Sequence, residues 1–257
     1  MGVLDDLMPL LKKLRLGGLL ETLDLRRRQA VEDDIPHLEF LLRLLQDECD
    51  RRDTRQIDQR VRRAGFEKLY TLEDFDFRFN PDIPKAQIFD LATCQFVSRA
   101  ENILLIGESG VGKSHIAQAL ALRACRAGFS AQHILAEELF RQLRAGRGDG
   151  TYERRLTRFA KVDVLVVDDL GLRGLTGQEP LDLYEVIRQR YEKRPIVVTT
   201  NRNVEELTRL LPDPLLASAA MDRLLHHSHV LHLKGDTYRN PKNSNRGKSM
   251  NKGESSK

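Results

Sequence analysis

An eight-residue string at positions 107–114 restricts what this chain can fold into more than any other feature. It reads Gly-Glu-Ser-Gly-Val-Gly-Lys-Ser and fits the pattern G-x-x-x-x-G-K-[ST] in full. An apolar run at residues 103–106 precedes the string, and a helical pattern at residues 112–127 follows it. A glycine-rich loop between a strand and a helix predicts a site for the phosphates of a nucleotide.

Each residue type in this string has a predicted role. The glycines let backbone N–H groups turn inward toward a phosphate, and the N-terminus of the next helix adds a favourable dipole. We expect Lys113 to contact the β- and γ-phosphates of ATP and the Ser114 hydroxyl to bind Mg²⁺. The predicted nucleotide-binding loop comprises Gly107, Glu108, Ser109, Gly110, Val111, Gly112, Lys113 and Ser114. A chance glycine-rich turn would not explain the lysine, the hydroxyl and the flanking elements together.

A second predicted strand, residues 162–167, leads directly into Asp168 and Asp169. Two carboxylates at the end of an apolar strand are costly unless a cation or water receives them. We expect Asp168 to hold Mg²⁺ through water and Asp169 to polarise the attacking water. Many ATPases of this design have Glu at the second position. Because Asp is one methylene shorter, the sequence predicts slow turnover, or turnover that waits for assembly.

A third predicted strand, residues 196–199, ends in Thr200-Asn201-Arg202, and an amide there can hold a water near the γ-phosphate. The order of loop, acidic strand and polar strand separates the chain from two other classes. Ras-like GTPases need an Asn-Lys-x-Asp guanine reader, which residues 200–203 lack. Small-metabolite kinases usually lack the paired acids and have an arginine lid.

Strand-helix alternation after residue 101 predicts an α/β fold with a parallel sheet covered on both faces. The five predicted strands are residues 103–106, 132–135, 162–167, 196–199 and 230–233. Residues 1–66 are predicted to be helical and residues 67–100 to form a connector that ends in one helix, 86–98. Residues 101–239 form the predicted nucleotide-binding domain. Residues 240–257 contain almost no apolar side chain, so we expect disorder there.

In the helical region, two apolar stripes have helical spacing. Leu4, Leu7, Leu11 and Leu14 form the first, and Leu38, Leu41, Leu42, Leu45 and Cys49 form the second. The pair Gly17-Gly18 allows a break between helices, and Pro36 suits a first helical position.

Positive charge is concentrated in particular segments. The net charge is +4, while residues 234–257 carry seven Lys or Arg against two acids. Two basic stretches remain in the body of the chain, and such stripes can follow a phosphate backbone. The candidate DNA contacts are Arg51, Arg52, Arg55, Arg60, Arg62, Arg63, Arg144 and Arg147. A solvated helix face is the alternative interpretation of either stripe.

Composition excludes several other classes. The longest apolar runs have four residues, so we expect no membrane span. Three scattered cysteines, Cys49, Cys94 and Cys125, favour a reduced cytoplasmic protein. The histidines at 226, 227, 229 and 232 lack a nearby cysteine and cross from a helix end into a strand, which argues against a metal site.

Six strings together resemble the AAA+ ATPases of the initiator and helicase-loader clade, and most closely the IstB-like helpers of insertion-sequence transposition. They are residues 71–77, the loop with His115 after it, Asp168-Asp169-Leu170-Gly171, Thr200-Asn201-Arg202, residues 222–230 and residues 235–239. The strings at 222–230 and 235–239 carry most weight, because no general ATPase rule requires them. The likeness implies a P-loop AAA+ domain with a five-stranded parallel sheet after a small helical domain.

This resemblance also implies roles for single residues. Arg223 matches an arginine finger for the neighbouring subunit, Arg239 matches the sensor-2 arginine, and Asn201 matches sensor 1. Phe75 and Phe77 match the segment beside adenine, and His115 belongs to the nucleotide-binding set. Such proteins assemble with ATP on duplex DNA, without strong sequence preference, and direct a transposase to it. The implied setting is the bacterial cytoplasm and nucleoid.

The sequence departs from this family at the loop, where Glu108-Ser109 stands in place of a frequent Pro-Pro, and at Thr237, where Ser is more usual. Two other functions stay open. A helicase loader would have nearly the same core, with residues 1–66 gripping a helicase. A nucleotide-bound scaffold that never hydrolyses ATP is consistent with Asp169.

Overall fold

The computed structural model describes residues 3–238 of the chain. The chain divides into two compact units, Met1–Gln59 and Arg60–Lys257. This division falls inside a long helix, whereas the sequence predicts a boundary at residue 66. The predicted tail, residues 240–257, lies outside the described residues.

The first unit contains three helices: α1 (Val3–Lys13), α2 (Gly17–Glu32) and α3 (His37–Arg63), whose last residues belong to the second unit. Its core consists of Leu11, Leu19, Leu23 and Leu44. Gly18 lies against α3, because a Cβ there would be 2.8 Å from the Glu48 Cα. Its backbone N–H donates to Glu48 Oε2 at 2.5 Å, so the glycine permits a close contact that a larger residue would prevent.

The second apolar stripe does not face this core. Leu38, Leu41, Leu42 and Leu45 are all exposed, between 46% and 82%. The face of α3 that packs within the unit instead presents Leu44 and Glu48, both of which are buried. The helix therefore buries a carboxylate bonded to Gly18 and leaves its most leucine-rich face open in the single chain.

The second unit contains a five-stranded sheet, as the sequence predicts. Its strands are β1 (Asn102–Gly107), β2 (Ala131–Leu135), β3 (Val164–Asp168), β4 (Ile196–Thr200) and β5 (Ser228–Leu233). Their order is β2-β3-β4-β1-β5, and every neighbouring pair is parallel. In this order β4 lies between β1 and β3, so the carboxyl ends of all three strands meet at one edge.

Side chains alternate between the two faces of the sheet, as the pleat requires. Ile103 and Leu105 of β1 enter one core, and Leu104 and Ile106 enter the other.

Eight helices follow the first three: α4 (Lys85–Leu91), α5 (Gln95–Ser98), α6 (Lys113–Arg126), α7 (Ala136–Gly148), α8 (Tyr152–Lys161), α9 (Glu179–Arg190), α10 (Val204–Thr208) and α11 (Pro214–Leu225). Both faces of the sheet are therefore covered, which confirms the predicted α/β class.

Two elements differ from the sequence-based expectation. The predicted single helix 86–98 is two short helices, because Cys94 adopts a left-handed backbone conformation with φ of 64° before α5 begins. Helix α8 was not predicted at all. Its buried side chains Leu156, Phe159 and Ala160 are spaced as one helical face, but arginines dominate the rest of the segment.

Arg190 connects several elements from inside the protein. Its side chain is 1% exposed, and its guanidinium donates to the carbonyl oxygens of Phe159, Ala160, Val162, Asp163 and Pro195. Burial lowers the pKa of Arg190 to about 9, so the group remains charged at neutral pH. These bonds join the end of α8 to the segments that enter β3 and β4.

Within residues 3–238, none of the helices combines the length and the apolar character that crossing a membrane requires.

Candidate nucleotide-binding site

The glycine-rich loop lies at the carboxyl edge of the sheet, between the end of β1 and the first residue of α6. Gly110 and Gly112 have positive φ, 88° and 98°, a region that L-residues rarely adopt. Both are also enclosed: a Cβ on Gly110 would meet the Thr237 side chain, and a Cβ on Gly112 would meet the Phe75 ring. Conformation and space both require glycine here, and the loop has the shape that the motif predicts.

The Lys113 side chain is buried beside the loop, with 6% of the residue exposed. Its Nζ donates to the Glu108 carbonyl oxygen at 2.8 Å, so the ammonium group is held across the loop. A lysine in this position places a positive charge where the β- and γ-phosphates of a nucleotide would lie.

Ser114 and Asp168 come together across two elements. Ser114 Oγ, in the first turn of α6, donates to Asp168 Oδ1 at the end of β3 at 2.9 Å. A hydroxyl and a carboxylate oxygen so close to a phosphate loop form a set of hard oxygen ligands, which is what Mg²⁺ prefers. The residues present therefore fit the predicted metal.

Asp168 is buried and held by two further side chains that the sequence did not indicate. His133 Nε2 on β2 lies 3.0 Å from Asp168 Oδ2, and Thr199 Oγ1 on β4 donates to Asp168 Oδ1. Burial alone would raise the pKa of Asp168, but the hydrogen bonds from His133, Thr199 and Ser114 together lower it. The carboxylate is therefore ionised and fixed in position.

Asp169 adopts a left-handed backbone conformation, with φ of 57°. Its backbone N–H donates to Thr199 Oγ1 at 2.9 Å, and the next N–H, of Leu170, donates to the Thr199 carbonyl oxygen at 2.9 Å. Strained residues of this type persist where their surroundings hold them. Thr199 thus holds Asp168 by donating its hydroxyl proton. It holds the backbone at Asp169 because its hydroxyl oxygen and its carbonyl oxygen accept two successive N–H groups.

A cleft of about 550 Å³ opens along this edge of the sheet. Lys113, Ser114, Asp168 and Asp169 line its inner part. The rings of Tyr70, Phe75, His115 and Tyr238 line another part of the cleft. Phosphate-binding groups and flat rings in one cleft suit the two ends of a nucleotide.

His115 joins the loop to the segment before the sheet. Its Nε2 lies 2.7 Å from the Thr71 carbonyl oxygen, and its ring lies 4.4 Å from the Tyr70 ring and 5.1 Å from the Phe75 ring, centroid to centroid. Burial lowers the pKa of His115, so the imidazole is neutral at pH 7. His115 and Phe75 therefore both form part of the wall of the cleft.

The segment after β5 returns to the loop. The Tyr238 backbone N–H donates to the Gly110 carbonyl oxygen at 2.9 Å, and its hydroxyl donates to the Asp76 carbonyl oxygen at 2.8 Å. Asn80 holds the same segment through two bonds to the Asp236 backbone, each 2.8 Å long. Residues far apart in sequence thus form one wall of the cleft.

Phe77, Asn201 and Arg223 are not among the described residues that line the cleft. Phe77 packs behind Phe75, with ring centroids 4.7 Å apart. Asn201 is exposed just past the end of β4. Arg223, on α11, donates to the Ala219 carbonyl oxygen at 2.8 Å. Arg239 lies outside the described residues.

Seven of the eight predicted DNA contacts divide into two groups, and Arg60 belongs to neither. Several are already in ion pairs: Arg51 with Glu21, Arg52 with Glu48, Arg144 with Glu179, and Arg147 with Asp182. Arg147 has a further contact, because its guanidinium also lies 4.2 Å over the Tyr152 ring. In the part of the chain that the structure describes, Arg55, Arg62 and Arg63 have no ion-pair partner. A role in DNA binding stays a prediction for both groups.

Sequence reasoning missed Thr199, His133, Tyr70 and Tyr238. The pairing register of the sheet, which the sequence does not give, places Thr199 and His133 beside Asp168. Tyr70 immediately precedes the 71–77 string, and Tyr238 falls within the 235–239 string, so those strings were the available signal.

A parallel sheet of this order, with the phosphate loop after β1 and the acids after β3, defines the class of P-loop AAA+ nucleotide-binding proteins. Solved structures agree on the fold. DnaI matches with a TM-score of 0.56 and 24% identity, over 64% of this chain and 91% of its own. AMPPCP-bound DnaA from Aquifex aeolicus matches with a TM-score of 0.56 and 19% identity, over 67% of this chain and 52% of its own.

The chain belongs to the family of IstB-like ATP binding proteins, whose pattern matches residues 9–246. A relative named as an ATP-binding protein in an insertion sequence of Mycobacterium tuberculosis is 38% identical, over 89% of this chain and 92% of its own length. The insertion sequence IS21 ATP-binding protein of Pseudomonas aeruginosa is 34% identical, over 92% of this chain and 89% of its own length. The sequence-based resemblance is thereby confirmed.

Proposed function

We propose that this protein binds ATP with Mg²⁺ in the cleft, hydrolyses it, and assembles on duplex DNA to assist a transposase. The observation that carries the first part is the 2.9 Å bond between Ser114 Oγ and Asp168 Oδ1, beside the buried Lys113. Family membership along nearly the whole chain supports the link to transposition. We place the protein with the DNA of the bacterial nucleoid.

Each group around the cleft has a part in the reaction. Lys113 contacts the β- and γ-phosphates, and Ser114 and Asp168 hold Mg²⁺, which neutralises phosphate charge when bound. Asp169 accepts a hydrogen bond from the attacking water and orients it toward the γ-phosphorus. The bond to the bridging oxygen of ADP then breaks, and the products are ADP and inorganic phosphate. The Asn201 amide holds the water near the γ-phosphate, and Arg239 acts on the nucleotide of its own subunit.

The test of hydrolysis compares the natural protein with Lys113→Ala. We expect ATP binding, followed by a fluorescent analogue, to fall by at least about a hundredfold in the variant, because a buried charged contact to phosphate is lost. Phosphate release by the natural protein should be slow and rise with duplex DNA. Tight ATP binding with no phosphate release, with or without DNA, would support the scaffold instead.

DNA binding is tested at the basic end of α3. We expect affinity for duplex DNA to fall steeply with salt, because released counterions drive such binding. Arg62→Glu should weaken binding several-fold and reduce the salt slope by about 1. Lys193→Glu, an exposed charge outside both basic stretches, is the matched control and should change neither.

Two outcomes would redirect the proposal. If Arg62→Glu and Lys193→Glu bound DNA equally well, α3 would not be the DNA-binding element. If the N-terminal residues captured a replicative helicase while DNA left the ATPase rate unchanged, a helicase loader would replace the transposition helper. The insertion-sequence relatives, which match along most of their length, are the reason to prefer transposition.

A further inference from the structure

Two turns that lie far apart in sequence meet on the surface of the second unit. One follows α9 and contains Tyr191 and Glu192, and the other follows α11 and contains His226 and His227. Glu192, His226 and His227 are all exposed and offer ligand atoms that lie within 4.8 Å of one another. None of these residues belongs to the nucleotide cleft.

The distances within this cluster suit a single small cation. His226 Nδ1 lies 3.7 Å from Glu192 Oε1, and the two imidazole rings are 3.9 Å apart, centroid to centroid. The Tyr191 hydroxyl lies 3.0 Å from the same His226 Nδ1, so a metal ion bound at that nitrogen replaces this hydrogen bond.

The backbone of the cluster is strained at two points. Glu192 has φ of 55° and His227 has φ of 51°, a region that non-glycine residues rarely occupy. Strained residues gather at ligand sites more often than elsewhere. Here two of them contribute side chains to the same small cluster.

The helix dipoles favour the position of His226 and disfavour that of Glu192. His226 caps the C-terminus of α11, where a cationic imidazole is favourable. Glu192 directly follows Tyr191, which caps the C-terminus of α9, and there a carboxylate is unfavourable. A bound cation would remove this conflict, because it neutralises the carboxylate and uses both imidazoles as neutral ligands.

We propose that Glu192, His226 and His227 form a binding site for a divalent transition-metal ion of the Zn²⁺ class. Two imidazole nitrogens and one carboxylate suit such ions, whereas Mg²⁺ and Ca²⁺ prefer oxygen ligands alone. Because all three side chains are exposed, water fills the remaining position. The sequence argument against a metal site considered only histidines near in sequence, and Glu192 is the ligand it could not supply.

Occupation of this site has a local consequence. The metal ties the end of α9 to the end of α11, two helices that pack on each other. Arg223 lies on α11, 5.7 Å over the Tyr191 ring, beside the same junction. The inference does not depend on ATP hydrolysis, since it concerns groups outside the cleft.

The test uses the full chain without nucleotide and measures Zn²⁺ affinity by competition with a chelating dye. Co²⁺ absorption serves as a second, spectroscopic probe. We expect one Zn²⁺ per chain, and roughly tenfold or weaker affinity in His227→Asn and in Glu192→Gln. Asparagine is chosen because it tolerates the left-handed backbone at position 227.

His232→Asn is the matched control, since His232 is an exposed histidine on β5 outside the cluster. Its Zn²⁺ affinity should remain within about twofold of the natural protein. Each protein is also measured with Cys49→Ser, which removes an exposed thiol that could bind metal. Equal Zn²⁺ affinity in the natural protein, His227→Asn and Glu192→Gln would overturn the proposal, and so would loss of binding in His232→Asn alone.

Discussion

Thr199 shows how one small side chain organises the predicted catalytic edge. It is fully buried, its hydroxyl donates to Asp168, and the same oxygen accepts the backbone N–H of Asp169. Loss of the hydroxyl would leave an unpaired N–H at a strained residue and remove one bond from the carboxylate that we propose holds Mg²⁺. Thr199 is therefore a positioning residue, since it acts on the reaction only through the two acids.

We expect Thr199→Val, which keeps the shape and removes the hydroxyl, to lower kcat at least about tenfold. The affinity for ATP should change little, because Lys113 and the loop backbone still bind the phosphates. Steady-state ATPase assays give kcat, and a fluorescent nucleotide gives the affinity. Thr199→Ser is the control and should recover most of the rate. A Val variant as fast as the Ser variant would contradict this role.

At the residue scale, the sequence predicted the groups that follow a motif and missed those that depend on pairing. Lys113, Ser114 and Asp168 come from strings that fix their local geometry, and all three line the cleft. His133 reaches Asp168 only because β2 pairs with β3, and nothing in the sequence specifies that register.

At the start of α9, a buried carboxylate is bonded to two arginines. Glu179, its first residue, is 3% exposed and accepts bonds from Arg144, Arg173 and the Thr176 backbone. The hydrogen bond from Arg173 is the largest influence, and together these contacts lower the pKa of Glu179 to about 2. A carboxylate at a helix N-terminus also complements the dipole.

This pKa predicts how stability depends on pH. A depressed pKa means that stability from Glu179 is fully present above its unfolded value, near 4.5, and is lost as pH falls toward about 2. We expect the free energy of unfolding, measured by urea titration, to fall across that window by about 2–3 kcal/mol from this group. Glu179→Gln should be less stable at pH 7 and should lose less on acidification. An unchanged pH profile in the variant would contradict the assignment.

Element boundaries were predicted well where apolar runs are pure and poorly where charge dominates. The five strands lie within two residues of their predicted starts. Helix α8 was missed because its three buried residues lie among five charged ones. Periodicity grouped the leucines of α3 on one face, and it cannot show whether that face is covered.

At the scale of the whole molecule, the position of Arg223 bears on assembly. Its guanidinium lies over Tyr184 and Tyr191, at 5.6 and 5.7 Å, and it is not among the described residues that line the cleft of its own chain. The family resemblance assigns it to the γ-phosphate of a neighbouring subunit. Such a head-to-tail arrangement makes each active site a property of two copies.

Mixing two inactive variants tests this arrangement. Arg223→Ala keeps its own cleft and lacks the finger, whereas Asp169→Asn lacks the water-orienting acid and keeps the finger. Each alone should hydrolyse ATP slowly on DNA. An equal mixture should recover roughly a quarter of the natural rate, because that share of sites pairs an intact cleft with an intact finger. A mixture no faster than the sum of its parts would show that Arg223 acts in its own subunit, or not at all.

The return of the chain from β5 to the phosphate loop has a consequence for biosynthesis. The loop and α6 precede two of the pieces that complete this part of the molecule. One is β5, which pairs with β1, and the other is the segment that ends at Tyr238 and bonds Gly110 and Asp76. Since translation proceeds from the N-terminus, these pieces leave the ribosome after the loop and α6. A nascent chain therefore carries a complete nucleotide motif before it has a closed pocket, and capture of nucleotide waits until β5 and Tyr238 have emerged.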